Sequence, residues 1–279
     1  MREISTQKIT EVVKRLCIEA NCHLPQDMKN CIETCRAAET WPQAQEILDQ
    51  IRENYEIADE QNAPICQDTG MACVFLKIGQ EVHFEGNLTE AIHEGVRQGY
   101  TEGYLRKSVV RDPLDRVNTG DNTPAMIYYD LVPGDQVEIT VAPKGFGSEN
   151  MSQIKMLKPS DGLQGVKDFI LKVVEDAGPN PCPPIVLGVG IGGTFDKAAL
   201  MAKQALLRAA DSCNPDPFYA ELEKEMLEKI NALGIGPQGF GGKTTALAVN
   251  IEYCPTHIAG LPVAVNVSCH VTRHQKEVL

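Results

Sequence analysis

The sequence contains no Cys-x-x-Cys pair, although it has ten cysteines among 279 residues. Pairs at that spacing supply the ligands of zinc ribbons and the thiols of thioredoxin-like centres, so both classes are disfavoured. A thiolate metal site would have to be assembled from cysteines that are distant in the sequence. The ten are Cys17, Cys22, Cys31, Cys35, Cys66, Cys73, Cys182, Cys213, Cys254 and Cys269.

The sequence also lacks a long apolar run and the pattern of a signal peptide. No stretch reaches the roughly 18 apolar residues of a transmembrane helix, and the N-terminus is polar with helical periodicity. Many cysteines without a secretory signal point to a reducing compartment. We therefore predict a cytoplasmic protein with no membrane partner.

Positive charge is in short supply, with 26 Lys and Arg against 38 Asp and Glu and a net charge of −12. Nucleic-acid binding needs a positive face, so no nucleic-acid partner is predicted. A local group of arginines could still bind a small anion, because local charge can override the global sign.

Helical and strand-like patterns are interleaved along the chain, which predicts a mixed α/β (α+β) fold. We expect a helical N-terminal segment over 1–60, an α/β subdomain over 61–160 and a second α/β subdomain over 161–279. Ser5 is predicted to cap the first helix, and Ser160 to cap a helix that opens the second subdomain. The alternation of Val137, Ile139 and Val141 predicts a half-buried strand.

Two motifs resemble nucleotide-binding signatures but fail on their context. Residues 188–193 fit Gly-x-Gly-x-x-Gly, yet the helix after them runs into a loop in which Asp211 follows no strand. A tight glycine-rich turn between a strand and a helix is therefore favoured, although its amides could hold an anion. Lys243-Thr244 does not complete a phosphate loop, because Pro237 stands where that pattern needs glycine.

Three cysteines stand in unusual settings. Cys66 lies in a loop before a strand, Cys182 lies among prolines ahead of the glycine-rich strand, and Cys269 ends an apolar run. Core cysteines more often lie within helix or strand faces. Taken one at a time, each is better explained as a structural thiol.

An arginine-rich segment, Leu-Arg-Lys-Ser-Val-Val-Arg-Asp-Pro-Leu at 105–114, stands out in an acidic chain. Arginine presents a planar fork that suits carboxylates, so Arg106 is a candidate ligand of an acidic substrate. A solvated charged face is the alternative explanation. The loop-forming residues that follow, at 118–123, favour a binding loop.

Together these segments resemble the class I fumarase family, the iron–sulfur fumarate hydratases and their relative L-tartrate dehydratase. The resemblance covers nearly the whole chain, with the N-terminal helices less diagnostic. It rests on Cys-Gln-Asp-Thr-Gly at 66–70, the arginine-rich segment, Asn-Thr-Gly-Asp-Asn-Thr-Pro at 118–124, Ala-Pro-Lys-Gly-Phe-Gly-Ser-Glu-Asn-Met at 142–151, Cys-Pro-Pro at 182–184 and Gly-Ile-Gly-Pro-Gln-Gly at 234–239.

The resemblance implies a [4Fe-4S] cluster held by Cys66, Cys182 and Cys269 alone. Three protein thiolates would leave one iron to act as a Lewis acid on a substrate hydroxyl. The reaction implied is the reversible hydration of fumarate to L-malate, a step of the tricarboxylic acid cycle. The substrate-binding residues implied are Gln67, Asp68, Arg106, Gly147 and His257, with Asp68 and His257 catalytic. Gly145 is the alternative to Gly147 as the source of a backbone amide.

The same resemblance implies that this is the α subunit of a heteromer. A β subunit would carry the other half of the active site, in an assembly of the α2β2 type. Two other substrates remain open within the family, those of L-tartrate dehydratase and mesaconate hydratase. A different class also remains open, a non-catalytic subunit whose cysteines are structural or bind zinc.

Overall fold

The computed structural model describes all residues, 1–279, and confirms a mixed α/β fold with a helical N-terminal segment. No helix is both long and apolar enough to cross a membrane. The elements in chain order are β1 (Arg2–Ser5), α1 (Thr6–Cys22), α2 (Gln26–Ala38), α3 (Pro42–Gln61), β2 (Met71–Gly79), β3 (Val82–Glu85), α4 (Leu88–Glu102), β4 (Met126–Val132), β5 (Val137–Lys144), α5 (Phe146–Glu149), β6 (Gln153–Leu157), α6 (Gly162–Ala177), β7 (Ile185–Gly193), α7 (Phe195–Ala205), α8 (Pro217–Asn231), β8 (Ala246–Thr256), β9 (Leu261–Ser268) and β10 (Gln275–Val278).

The chain forms two compact units, and both are discontinuous in sequence. Unit 1 consists of Met1–Pro25, Tyr55–Phe146 and Arg273–Leu279, and unit 2 consists of Gln26–Asn54 and Gly147–Thr272. The segments predicted from the sequence are continuous stretches of the chain, whereas each compact unit combines stretches that are distant in the sequence. The units therefore do not test the predicted boundaries, which stay predictions.

Unit 1 is built on a four-stranded sheet in the order β10-β5-β2-β4. Strand β2 pairs antiparallel with β5 and parallel with β4, while β1 and β3 form a separate parallel pair. Ser5 caps α1 by accepting from the backbone N–H of Lys8, as predicted. The apolar faces of α1 and α4 pack with alternate residues of β2 and β5 in one core, which includes Val137, Ile139 and Val141. The predicted half-buried strand is thereby confirmed.

Unit 2 is built on a sheet in the order β6-β9-β7-β8, with β7 parallel to β8 and antiparallel to β9. Helices α6 and α8 share the main core with these strands. Helix α7 packs against the strands in a smaller alanine-rich cluster. Strand β7 is buried over almost its whole length, which explains its continuous apolar and glycine composition.

Two local predictions in unit 2 were wrong. Gly192 and Gly193, predicted to form a turn, are the last residues of β7. Earlier in the strand, a Cβ on Gly188 would stand 2.0 Å from the carbonyl oxygen of Ala202. Helix α7 therefore approaches the strand at a distance that no larger residue permits. Ser160 does not cap α6: it lies in a 3-10 turn, Pro159–Asp161, and the residue preceding the helix is Asp161. Proline at 159 starts that turn and delays the helix.

The loop that resembles a phosphate loop also has a structural explanation. The Lys243 N–H donates to Oε2 of Glu39 at 2.7 Å, and Glu39 is 2% exposed. Its other carboxylate oxygen accepts from the backbone of Thr40 and Trp41. The backbone amide of Lys243 is thus used to hold this loop against the end of α2.

Candidate functional site

The predicted site residues are divided between the two units, and unit 1 contains the Cys66–Gly70 loop. Cys66 is half-buried, Gln67 is exposed and Asp68 is half-buried. The loop leads directly into β2, which is central in its sheet. Its start is tied to α1 by a hydrogen bond from the Ile65 N–H to the carbonyl oxygen of Asn21, at 3.0 Å.

Asp68 is the most completely held side chain of this loop. Its Oδ1 accepts from the N–H of Gly70 at 3.0 Å, and its Oδ2 accepts from the N–H of Phe146 at 2.9 Å. Its carbonyl oxygen accepts from Nη2 of Arg273 at 2.6 Å. Backbone donors to both oxygens of a carboxylate fix its direction. Asp68 is therefore an oriented carboxylate.

Two glycines let the backbone come close to this carboxylate. Gly70 has a φ of +75°, and a Cβ there would lie 2.7 Å from the backbone of Lys144. A Cβ on Gly145 would lie 3.1 Å from Oδ2 of Asp68, whereas one on Gly147 would meet nothing within 4 Å. Of the two glycines considered from the sequence, Gly145 is the one that lies against Asp68.

Arg106 is connected to the same loop through its backbone. The Thr69 hydroxyl donates to the Arg106 carbonyl oxygen at 3.1 Å, while the Arg106 side chain is exposed. Asn122 adds a second connection, because its Oδ1 accepts from the backbone N–H groups of Ser108 and Val109 and its Nδ2 donates to the Gly70 carbonyl oxygen. Unit 1 thus brings Cys66, Gln67, Asp68 and Arg106 together on two linked loops.

Replacing Asn122 with Ala should lower the free energy of unfolding by about 2–4 kcal/mol. Asn122 is fully buried, so the change leaves the N–H groups of Ser108 and Val109 without a partner, each costing roughly 1 kcal/mol or more, and removes one of the two donors to the Gly70 carbonyl oxygen. Its φ of +62° is also unfavourable for Ala. Urea denaturation of the α chain measures the loss.

Asn118→Ala is the matched control. Asn118 also bonds backbone groups, at Gly120 and Lys107, but it is exposed and water can replace it. Its loss should stay below about 1 kcal/mol. Equal losses in the two variants would contradict the role given to Asn122.

The neighbouring Asp121 makes the stability of this loop depend on pH. Burial alone would raise the pKa of Asp121, but hydrogen bonds from the Thr123 N–H, the Thr123 hydroxyl and the Arg97 guanidinium outweigh it. The net result is a pKa of about 2, against an ordinary value of 3.8. A depressed folded-state pKa stabilises the fold above pH 4, and the stabilisation is lost as the pH falls towards 2.

We expect Asp121 to contribute about 1–2 kcal/mol to the fall in stability between pH 6 and pH 2, after allowance for its partial exposure. Urea denaturation across this range measures the fall. In Asp121→Asn the fall should be smaller by that amount, because the amide does not titrate. Asp130→Asn, an exposed carboxylate on β4, serves as the control and should keep the wild-type slope. A wild-type slope in Asp121→Asn would refute the assignment.

Unit 2 brings Cys182 and Cys269 to the same end of its sheet. Cys182 precedes β7 and Cys269 follows β9, and the antiparallel register pairs Val186 with Ser268. His270 joins the two segments, with its Nδ1 2.9 Å from the Cys182 carbonyl oxygen. An N–H at Nδ1 can donate to this carbonyl oxygen, and Nε2 of Gln238 lies 3.3 Å from the same ring nitrogen. Cys182 is exposed and has a φ of +55°, so its loop is held in a conformation that few residues adopt.

His257 lies at the opposite end of the same sheet. It follows β8, whose last residue, Thr256, pairs with Gly193 at the far end of β7. At about 3.3 Å per residue, the strand separates the two ends by roughly 26 Å. The His257 ring is exposed, and its Nδ1 accepts from the Ala259 N–H at 3.2 Å, which leaves the Nε2–H to donate in the neutral form. Unit 2 therefore does not bring His257 together with Cys182 and Cys269.

Four of the other seven cysteines have thiols that burial keeps protonated. Burial raises the pKa of Cys17 to about 12 and of Cys31 to about 11, and it also raises the pKa of Cys22 and Cys35. A metal ligand is a thiolate, so the raised pKa makes these four thiols less ready ligands than unshifted ones. None of the ten cysteines forms a disulfide.

The three cysteines predicted from the sequence supply thiols, the donor type that holds iron–sulfur clusters. No group of three or more His, Cys, Asp or Glu side chains is arranged around one ion. A cluster takes its thiolates on different irons, so its ligands need not converge on one point. Cys66, Cys182 and Cys269 lie outside the helices and strands, on loops held by hydrogen bonds to backbone groups.

The sequence did not identify four residues that hold the unit 1 loops. They are Tyr100, whose hydroxyl bonds the carbonyl oxygens of Thr69 and Gly70, and Asn122, Phe146 and Arg273. Asn122 and Phe146 lie within two of the segments that resemble the family, so the resemblance could have identified them. Tyr100 and Arg273 carried no sequence signal of this kind.

The chain matches known proteins over almost its whole length. The family model described as Fumarate hydratase (Fumerase) matches residues 10–278. The chain is 47% identical over 273 residues to a Methanocaldococcus jannaschii protein named "Putative L(+)-tartrate dehydratase subunit alpha", covering 95% of each chain. It is 33% identical over 276 residues to the L(+)-tartrate dehydratase subunit alpha of Escherichia coli K12, covering 98% of this chain and 91% of the relative.

Proposed function

The chain belongs to the fumarate hydratase (Fumerase) family of hydro-lyases, and on that basis we propose that it is the α subunit of an iron–sulfur enzyme that adds water to, or removes it from, a four-carbon dicarboxylate. The observation that carries the proposal is the Cys66–Gly70 loop. It presents a cysteine and an oriented Asp68 carboxylate beside the backbone of Arg106.

The residues proposed to hold the cluster are Cys66, Cys182 and Cys269. When bound, a [4Fe-4S] cluster with three protein ligands supplies a Lewis-acidic iron that polarises the substrate hydroxyl. The support for this set is the family membership, the loop positions of the three cysteines and the raised pKa of four others. Zinc on the same thiolates is the competing proposal, and iron and sulfide analysis after anaerobic purification separates the two.

The chain's own residues are proposed to bind and orient the substrate. The Arg106 guanidinium is exposed and suits a carboxylate, which its fork can bind through two hydrogen bonds. Gln67 offers an amide, and a backbone N–H of Gly145 or Gly147 can contribute a further donor. Asp68 is held at a fixed angle and can accept a proton or a hydroxyl hydrogen bond. Groups fixed in advance reduce the reorganisation needed in the transition state.

His257 is proposed to act on a substrate bound at another α chain. A substrate beside Cys182 and Cys269 would lie at the far end of the unit 2 sheet from the His257 of the same chain. In an α2β2 assembly, a second α chain could supply this histidine. His257→Asn should then lower kcat in the assembled enzyme without changing its iron content.

Fumarate and L-malate are proposed as the first substrate pair, because the family model that spans the chain is that of fumarate hydratase. L(+)-tartrate is the second candidate, favoured by the names of the relatives at 47% and 33% identity. The two 2-hydroxy acids differ by one hydroxyl, which a pocket can discriminate through its hydrogen-bond partners. Comparing kcat/KM for L-malate, L-tartrate and mesaconate on one reconstituted preparation decides between them.

The proposed partner is a β subunit, since the relatives are named as α subunits. Elimination needs groups around both carboxylates and the departing proton, and this chain offers one arginine segment and one loop for them. The anaerobically reconstituted α chain, with its iron content verified, should hydrate fumarate only after the β subunit is added. Comparable turnover by the α chain alone would refute the division of the site.

A further inference from the structure

Arg273 is an arginine buried in unit 1 without a carboxylate partner. It lies between β9 and β10 and is 5% exposed. Its Nη2 donates to the Asp68 carbonyl oxygen at 2.6 Å, while its Nε–H, also buried, has no acceptor. None of the chain's ion pairs includes it. A buried charge of this kind costs folding free energy unless nearby negative charge or hydrogen bonds offset it.

Two side chains close enough to interact with the Arg273 charge, Cys22 and Tyr100, are not carboxylates. Burial raises the pKa of Cys22 and of Tyr100, and in both cases the Arg273 charge acts to lower it. Both side chains are almost fully buried, and neither is an anion at neutral pH. The Tyr100 hydroxyl instead donates to the carbonyl oxygens of Thr69 and Gly70. The guanidinium and the phenol therefore bind three successive carbonyl oxygens of one loop, at residues 68–70.

The Cys66–Gly70 loop that Arg273 contacts carries negative groups of its own. Asp68 carries its carboxylate on the residue whose carbonyl oxygen Arg273 binds. Cys66 would be a thiolate in the proposed function, and the substrate would bring two further negative charges. A fixed positive charge behind such a loop offsets this accumulation, and in a buried position it is screened little by solvent.

We propose that Arg273 is the positioning residue of the Cys66–Gly70 loop, fixing its main chain and supplying the buried positive charge that balances its anionic contents. This inference rests on the proposed function for the anions, but the anchoring of the loop rests on the structure alone. Because Nη2 is engaged with the Asp68 carbonyl oxygen, Arg273 acts through Asp68 and the loop. It should affect kcat more than KM.

The first test is hydrogen exchange of the iron-free α chain. In Arg273→Met the hydrogen-bonded amides of Ile65 and Gly70, at the two ends of the loop, should exchange roughly tenfold faster or more, as expected for a lost charged hydrogen bond. In Arg273→Lys, which can keep one donor, the increase should be smaller. The control Arg15→Met removes an exposed arginine that pairs with Glu19 and Glu277 in the same unit, and it should leave this loop unchanged.

The second test uses the enzyme reconstituted with iron and its β subunit. Arg273→Met should lower kcat with little change in KM, and should shift the reduction potential of the cluster to a more negative value, because a nearby positive charge is lost. Arg273→Lys should restore the potential more fully than kcat. Unchanged exchange at Ile65 and Gly70, or an unchanged potential in Arg273→Met, would overturn the inference.

The two tests separate this inference from the proposed function. If the wild-type protein takes up no iron, the proposed function fails, and the exchange measurement still decides the anchoring. If Arg273→Met does not fold, Arg273→Lys carries both measurements: wild-type exchange, potential and kcat in that variant would show that the guanidinium is not required.

Discussion

Replacing Cys66, Cys182 or Cys269 with Ser is expected to remove the iron and, with it, nearly all activity. A serine hydroxyl is a far weaker ligand than a thiolate for an iron–sulfur cluster. Loss of a Lewis acid that contributes several kcal/mol corresponds to a fall in kcat of roughly a thousandfold or more. Iron and sulfide content, absorbance near 400 nm and fumarate hydration measure the effect after anaerobic purification.

Cys213→Ser is the matched control for these variants. Cys213 is exposed, like Cys182, and lies in the loop before α8. It should retain wild-type iron content and activity. Full iron content in any one of the three ligand variants would remove that cysteine from the proposed set.

Replacing Arg106 with Lys is expected to lower kcat/KM for the dicarboxylate by roughly 30-fold, or about 2 kcal/mol. Lysine keeps the positive charge but loses the planar fork that binds both carboxylate oxygens. The Arg106 backbone should be little affected, since its carbonyl oxygen accepts from the Thr69 hydroxyl in either case. Initial rates over a range of substrate concentrations, with iron content matched, measure the change.

Arg15→Lys controls for a general effect of replacing an arginine in unit 1. Arg15 lies on α1 and forms exposed ion pairs, so its replacement should leave kcat/KM within about twofold of wild type. A similar result for Arg106→Lys would show that Arg106 is part of a solvated face, the alternative considered from the sequence.

The sequence predicted best where a local pattern decides the structure. The helix that follows Ser5 and the strand at Val137–Lys144 were predicted because apolar periodicity and burial agree there. Gly192 and Gly193 were misassigned to a turn, because their pairing with β8 is set by a strand about sixty residues away in the chain. Strand β10, with the sequence Gln-Lys-Glu-Val, carries almost no apolar pattern and is recognisable only by its pairing with β5.

In the candidate site, too, the residues with a local sequence signal were predicted and the long-range contacts were not. Cys66, Asp68 and Arg106 lie in short segments whose residues identify them, so the resemblance found them. The contacts that hold these residues join distant parts of the chain: Arg273 and Asp68 are 205 positions apart, and Asn122 and Gly70 are 52 apart. No local pattern encodes such a pair. His257 shows that residues close in sequence can be far apart in the fold. It lies only twelve residues before Cys269, yet the two are at opposite ends of the unit 2 sheet.

The discontinuity of unit 1 has a consequence for the order in which the protein can fold during synthesis. Strand β10 completes the unit 1 sheet, and Arg273 anchors the Asp68 loop, yet both follow the whole of unit 2 in the chain. Unit 1 must therefore wait with β5 unpaired on one side until the ribosome has made residues 273–279. Pairing across such a separation is slow, and an unpaired strand edge is prone to aggregate. Growth temperature and chaperone supply should thus govern the yield of this protein more strongly than its final stability does.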